Sequence, residues 1–113
     1  MISKKERSYS RYAKEAAILI GKHIQYARKA RKLTERDFAE RVGISRTTLQ
    51  RIEKGEMQCE LGITLEAAAI AGVKLFEVDQ NNTFHGSIQI MNDKIALLPK
   101  RVRKQVNEVD DAF

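Results

Sequence analysis

Apolar residues recur at helical spacing over the first part of the chain. Between residues 12 and 30 they lie three or four positions apart, which is the period of an amphipathic helix. Either Ser8 or Ser10 can cap the start of such a helix through its hydroxyl oxygen. The cations at Arg31–Lys32 suit its carboxyl end, where the helix dipole is negative. The pattern therefore predicts a first helix that begins near Tyr9 and ends near Arg31–Lys32.

Two more helix starts follow, and they are the strongest local signals in the chain. Thr34 and Ser45 are both good N-cap residues. Each cap is preceded by an apolar residue, and a second apolar residue follows four positions after the cap. Such a pair can form a hydrophobic staple, and the two pairs are Leu33 with Phe38 and Ile44 with Leu49. Gly43, between the two segments, suits the left-handed conformation that ends a helix. The sequence thus predicts a helix-turn-helix, whose second helix can enter the major groove of DNA.

A fourth helix is predicted after this motif. Thr64 is its candidate cap, and Gly72 ends the apolar run at residues 65–71. The apolar residues that follow can close the core as a last short helix or as a turn, and they are Val73, Leu75, Phe76 and Val78.

The chain becomes more polar after residue 78. The segment SIQIM at residues 87–91 is too short for its periodicity to distinguish a strand from a helix. We interpret the last fifteen or so residues as a mobile tail. The predicted organisation is a flexible N-terminus at 1–9, a helix-turn-helix domain at 10–78, and an extension with a tail at 79–113.

Charge is distributed unevenly along the chain. The 113 residues include 21 Lys or Arg and 15 Asp or Glu, which gives a net charge of +6. Residues 1–60 hold 15 basic and 8 acidic residues (+7), whereas residues 61–113 hold 6 and 7 (−1). Because the basic residues are concentrated in the N-terminal half, that half is expected to bind a polyanion.

The second helix of the motif has one apolar and one polar side. Leu49 and Ile52 lie three residues apart and share the inward side, which leaves an outward stripe of Arg46, Thr47, Gln50 and Arg51. Arginine can donate two hydrogen bonds to guanine, glutamine can pair with adenine, and a threonine methyl can contact a thymine methyl. A solvated polar face is the alternative reading of such a stripe. The two caps, the glycine turn and the basic half of the chain together favour DNA recognition.

No feature of the sequence indicates an enzyme, a metal site or a cofactor. His23 and His85 are isolated from other ligand residues, and Cys59 is the only cysteine. The N-terminus lacks the apolar core of a signal peptide, and the apolar run at 16–20 is too short to span a bilayer. We therefore expect a cytoplasmic, nucleoid-associated protein with no membrane partner.

Residues 18–78 resemble the DNA-binding domain of the Cro/cI-type (XRE) repressor family. The matching features are the Leu-Thr helix start, Phe-Ala at 38–39, Val-Gly-Ile-Ser at 42–45, Arg-Ile-Glu-Lys-Gly at 51–55, and the continuation through LEAAAIAGVKLFEV. The resemblance implies an all-α, five-helix fold of the lambda repressor type, here with a C-terminal extension. It also implies a salt bridge between Arg28 and Glu53 that joins the first helix to the third.

The resemblance further implies which residues contact DNA. Arg46, Thr47 and Gln50 occupy the positions that read bases, Arg51 reads a base or anchors the protein at the edge of the interface, and the cap Ser45 can touch phosphate. The chain departs from the family at Glu35, where a glutamine often contacts phosphate, and at the acidic residues Glu56 and Glu60 in a loop that is often basic. We expect phosphate contacts to come from other cations instead, namely Arg36, Lys22, Arg31 and Lys32.

Two further partners are expected. Family members of this size are expected to form a homodimer on a palindromic operator of double-stranded DNA, with dimer contacts from Val73–Val78 and the segment after it. The end of the chain, with a basic cluster at 100–104 before NEVDDAF, resembles HipB-like antitoxins of HipA-type toxin–antitoxin systems, which bind a kinase toxin. Asp110, Asp111 and Phe113 are the candidate contacts for such a toxin. The alternatives are a stand-alone phage or mobile-element regulator, a non-DNA protein–protein adaptor, and a solvated tail.

Overall fold

The computed structural model describes residues 7–77 and 84–104, and all of the regular structure within them is helical. The five helices confirm the predicted all-α class. Their bounds are Arg11–Ala30 for α1, Glu35–Val42 for α2, Arg46–Lys54 for α3, Leu61–Ala71 for α4 and Phe84–Ala96 for α5. The chain divides into two compact units, Met1–Phe76 with α1 to α4, and Glu77–Phe113 with α5.

The caps of the first three helices lie where the sequence predicts them. The Ser10 hydroxyl oxygen accepts a hydrogen bond from the Ala13 N–H at 3.1 Å, so Ser10 rather than Ser8 caps α1. Thr34 and Ser45 accept in the same way, at 3.0 Å each, from the N–H groups three residues on. Gly43 has a φ of 86° and ends α2, a left-handed conformation that suits a residue without a Cβ.

The core of the first unit lies between α1, α2, α3 and α4. α1 packs on α3 and α4, and α2 packs on the same two helices. Ile24, Phe38 and Leu49 are the largest fully buried side chains. A Cβ at Gly21 would lie 2.5 Å from the carbonyl oxygen of Ile52. The glycine therefore allows α1 to approach the backbone of α3 closely.

A buried ion pair joins the same two helices. The Arg28 side chain donates from Nε to Glu53 Oε2 at 2.8 Å and from Nη2 to Glu53 Oε1 at 3.0 Å. Its Nη1 donates to the carbonyl oxygen of Leu33 at 2.9 Å. The hydrogen bond to Glu53 raises the pKa of the Arg28 guanidinium above its ordinary value, against the opposing effect of burial. The pair confirms the salt bridge that the family resemblance implies.

The predicted start of the fourth helix is wrong by one turn. α4 begins at Leu61, after Glu60, and Thr64 lies inside it. The Thr64 hydroxyl donates to the carbonyl oxygen of Glu60 at 3.0 Å, a bond to the carbonyl four residues earlier that threonine makes inside helices. The extra turn also packs Ile63 against the core. Burial of this side chain therefore favours a helix that starts before Thr64, although Thr64 is the better cap residue. Gly72, with a φ of 81°, ends α4 as predicted.

The fifth helix lies in the extension and not in residues 10–78. Val73 and Leu75 pack against the core without forming a helix, whereas Phe76 is exposed and Val78 lies outside the described residues. The segment SIQIM at residues 87–91 is helical and forms part of α5. Residues 99–104 of the predicted tail are described and are not helical, and residues 105–113 lie outside the described part of the chain.

Candidate nucleic-acid interface

The inward side of α3 determines which of its residues reach the surface. Leu49 is fully buried and Ile52 is 3% exposed. On the other side, Arg46 and Thr47 are exposed, and Gln50 and Arg51 are half-buried. The four residues predicted as the outward stripe therefore lie on one accessible side of one short helix. That helix is nine residues long, a size that fits the DNA major groove.

Glu35, on α2, contacts two side chains of this surface. Its Oε1 accepts a hydrogen bond from Arg46 Nε at 2.9 Å and a second from Gln50 Nε2 at 2.9 Å. These two bonds, first that from Gln50 and then that from Arg46, hold the pKa of the Glu35 carboxyl below its ordinary value. One carboxylate at the start of α2 thus orients two of the candidate base-reading side chains of α3.

A second carboxylate pairs with the last residue of the stripe. Arg51 Nε donates to Glu56 Oε1 at 2.7 Å, and the two side chains are 43% and 44% exposed. The hydrogen bond to Glu56 raises the pKa of Arg51 above its ordinary value. Arg51 is therefore held beside the loop after α3, at the edge of the surface.

Ser45 uses its hydroxyl within the protein. The oxygen accepts from the Thr48 N–H at 3.0 Å, and the hydroxyl donates to Thr48 Oγ1 at 2.9 Å. The first N–H groups of α3 have no partner within the helix, because no carbonyl precedes them by one turn. The helix start can thus offer backbone donors to a phosphate while Ser45 keeps its capping role.

The cations predicted to contact phosphate are spread over three segments. Lys22 is exposed on α1, Lys32 is exposed just after α1 with a φ of 59°, and Arg36 is exposed near the start of α2. Arg31 differs from these, because its Nη1 donates to the carbonyl oxygen of Ile70 at 3.1 Å. It ties the end of α1 to α4, a structural role that the sequence pattern did not indicate.

The described residues also bear on the expectations about metal sites and membranes. They contain no group of three or more His, Cys, Asp or Glu side chains placed to bind a metal ion. Cys59 is half-buried beside the core, and burial raises the pKa of its thiol. No helix in residues 7–77 or 84–104 is long and apolar enough to cross a membrane.

Sequence reasoning missed the pairings of Glu35 and Glu56. Both residues stand out in the sequence as acidic departures from the family pattern, because Glu35 stands where a glutamine often contacts phosphate and Glu56 lies in a loop that is often basic. Glu35 lies 11 residues before Arg46 and 15 before Gln50. Only the packing of α2 on α3 brings the three together, so local spacing carries no signal of the contact.

Comparisons with known proteins agree with this geometry. Residues 24–59 match the model of a family described as helix-turn-helix, a span that includes all of α2 and α3. The chain is also similar to an uncharacterised HTH-type transcriptional regulator of the archaeon Methanocaldococcus jannaschii. The two sequences are 34% identical over 55 residues, which cover 49% of this chain and 83% of that protein.

Proposed function

We propose that this chain, which belongs to the helix-turn-helix family of transcriptional regulators, represses transcription by binding a specific operator as a symmetric dimer. Family membership supports DNA binding and transcription regulation. One observation supports specific reading of bases. The outward stripe of α3 presents Arg46, Thr47 and Gln50 together, on a helix whose orientation Leu49 and Ile52 determine.

The bonds within the protein leave each of these side chains able to contact a base. Arg46 uses Nε to bind Glu35, and its two terminal nitrogens make no hydrogen bond within the described residues. Those nitrogens can donate to guanine O6 and N7. Gln50 keeps its carbonyl oxygen and one N–H for an adenine, and the Thr47 methyl can contact a thymine methyl. Arg51 lies at the edge, and the phosphate contacts fall to Ser45, Arg36, Lys22 and Lys32.

Selection of binding sites from a pool of random duplex DNA tests this proposal. The expected result is one palindromic sequence whose half-sites lie about one helical turn, ~34 Å, apart. Substitution of Arg46 by alanine should relax the preference at one base pair in each half-site. If the unaltered protein enriches no sequence from the pool, the proposal is overturned.

The exposed face of α5 supports the dimer. Ile88, Met91 and Ile95 are 58%, 52% and 59% exposed, and their spacing of three and four residues places them on one stripe. Leu98 continues this spacing beyond the helix and is 65% exposed. Such a narrow apolar seam is typical of a helix that packs along a second helix. A second copy of the chain would bury both stripes at once.

The dimer has a direct test. Molar mass measured by light scattering should be that of two chains for the unaltered protein, and that of one chain for the variant Ile88→Asp. The same change at Ile90 is the control, since Ile90 lies on the opposite side of α5. Two chains for both variants would place the dimer contacts elsewhere.

We further propose that the regulator is the antitoxin of a toxin–antitoxin operon, which autoregulates that operon and binds a HipA-like kinase toxin. The support is the sequence of the C-terminal end, and Asp110, Asp111 and Phe113 lie outside the described residues. Deletion of residues 108–113 should spare operator binding and weaken capture of the toxin. A neighbouring gene that encodes no kinase-like protein would instead favour a stand-alone phage or mobile-element regulator.

A further inference from the structure

Glu35 occupies an unusual place for a carboxylate. It lies at the first residue of α2, next to the surface that is to meet a polyanion, and its side chain is 29% exposed. A negative charge there repels DNA phosphates of any sequence. Its benefit to the protein must therefore lie in something other than overall affinity for DNA.

The contact with Gln50 supplies such a benefit. The nitrogen and oxygen of a glutamine amide have nearly the same shape, so a free side chain can present either one to a base. An ionised carboxylate only accepts hydrogen bonds, so it must face the amide nitrogen of Gln50. Glu35 thus fixes the orientation of the Gln50 amide: the nitrogen faces Glu35, and the carbonyl oxygen points away from it. Pairing with adenine requires a defined donor and a defined acceptor.

The contact with Arg46 acts in the same direction. Arg46 is 65% exposed and has several rotatable bonds, which a free side chain would have to order on meeting DNA. The bond from its Nε to Glu35 orders the guanidinium before DNA binds and leaves the two terminal nitrogens for other acceptors. A pre-ordered pair of donors suits the two adjacent acceptors of guanine.

We propose that Glu35 is a specificity-determining residue of the recognition surface: it fixes the amide orientation of Gln50 and the guanidinium of Arg46, and so increases discrimination between sequences while it lowers affinity for DNA in general. The inference rests on the proposed function, in which α3 reads bases. It assigns a positive role to a residue whose charge opposes DNA binding.

The variant Glu35→Gln tests the inference, because it keeps the size of the side chain and removes the charge. Its amide can donate as well as accept, so it no longer dictates the orientation of Gln50. Glu40→Gln is the matched control: Glu40 is exposed on the same helix, has no side-chain hydrogen bond within the described residues, and loses the same charge. Both variants are titrated with the selected operator and with a scrambled duplex of equal length.

The two variants should differ in their preference for the operator. Glu35→Gln should bind the scrambled duplex more tightly, while the ratio of operator to scrambled affinity falls by about tenfold, the order expected when one bidentate base contact is lost. Glu40→Gln should leave that ratio within about twofold of the unaltered protein, since it changes only a general electrostatic contribution. An unchanged ratio for Glu35→Gln would overturn the inference.

A double variant separates positioning from a structural effect. If Glu35 acts through Gln50 and Arg46, then Glu35→Gln should reduce the ratio less in chains that already carry Gln50→Ala or Arg46→Ala. Reductions in both of these backgrounds as large as that in the unaltered protein would contradict the positioning role. Failure of the proposed function is distinguishable, because the unaltered protein would then show no preference for any operator.

Discussion

Two regions of the first unit use the same chemistry, an arginine bound to a glutamate, in opposite ways. At the contact of α1 with α3, the side chains of Arg28 and Glu53 are 6% and 3% exposed. On the recognition surface, those of Arg46 and Glu35 are 65% and 29% exposed. The first pair is surrounded by protein, whereas the second lies at the surface.

The number of unused donors follows this difference in burial. Arg28 donates from all three of its nitrogens, two to Glu53 and one to Leu33, and no buried side-chain nitrogen or oxygen among the described residues lacks a partner. Arg46 uses one nitrogen and keeps two. A pair that is fully satisfied within the protein stabilises the fold, and a pair that keeps donors can bind something else.

The largest expected effect comes from breaking the buried pair. Glu53→Ala leaves the guanidinium of Arg28 buried without a counter-charge, and arginine does not give up its proton. We expect the free energy of unfolding to fall by about 3–5 kcal/mol, measured by urea denaturation.

The matched control is the pair formed by Arg11 and Glu15, which lies on α1 as well. Its two side chains are 87% and 70% exposed, and the N–O distance is 3.5 Å. Glu15→Ala should leave the urea midpoint nearly unchanged, because exposed pairs contribute little. Similar losses for the two variants would show that burial does not separate the two kinds of pair.

The second effect concerns binding instead of stability. Arg46→Ala should weaken binding to the selected operator by about 1–3 kcal/mol, since it removes the donors to one base. Its urea midpoint should stay near that of the unaltered protein, unlike that of Glu53→Ala. Titrations with operator and scrambled duplex are the measurement. An equal loss on both duplexes would mean that Arg46 contacts phosphate.

The sequence was sufficient for most of the fold because its signals are local. Ser10, Thr34, Ser45 and the glycines at 43 and 72 act on neighbouring backbone groups, so their roles are visible in a short segment. Thr64 shows the limit of this reasoning. A good cap residue lies inside α4, because burial of Ile63 extends the helix by one turn.

The candidate site could be predicted only in part. The outward stripe follows from the positions of Leu49 and Ile52, and the structure places its four residues on the accessible side of α3. The partners of these residues come from other segments. Glu35 reaches Arg46 through the packing of α2 on α3, a tertiary contact that no helical or strand period encodes.

A smaller effect is expected at the edge of the recognition surface. Arg51 and Glu56 form an exposed pair, so Glu56→Gln should leave the urea midpoint nearly unchanged. The change also frees Arg51 and removes one negative charge beside the DNA. Binding should therefore tighten by a similar factor on operator and scrambled duplex, in contrast to Glu35→Gln. A changed ratio between the two duplexes would give Arg51 a base-reading role.

The smallest effect is a dependence on acidic pH. Because its bonds to Gln50 and Arg46 lower the pKa of Glu35, the folded protein holds this carboxyl ionised at a pH where the unfolded chain protonates it. The resulting stabilisation is present above the ordinary pKa of 4.5 and is lost as the pH falls through the lower folded value. The difference in unfolding free energy between the unaltered protein and Glu35→Gln should thus shrink below about pH 4.5. Because the other carboxylates contribute equally to both proteins, their contributions cancel when the unfolding free energy of Glu35→Gln is subtracted from that of the unaltered protein. A difference that stays constant down to pH 3 would contradict the pairing.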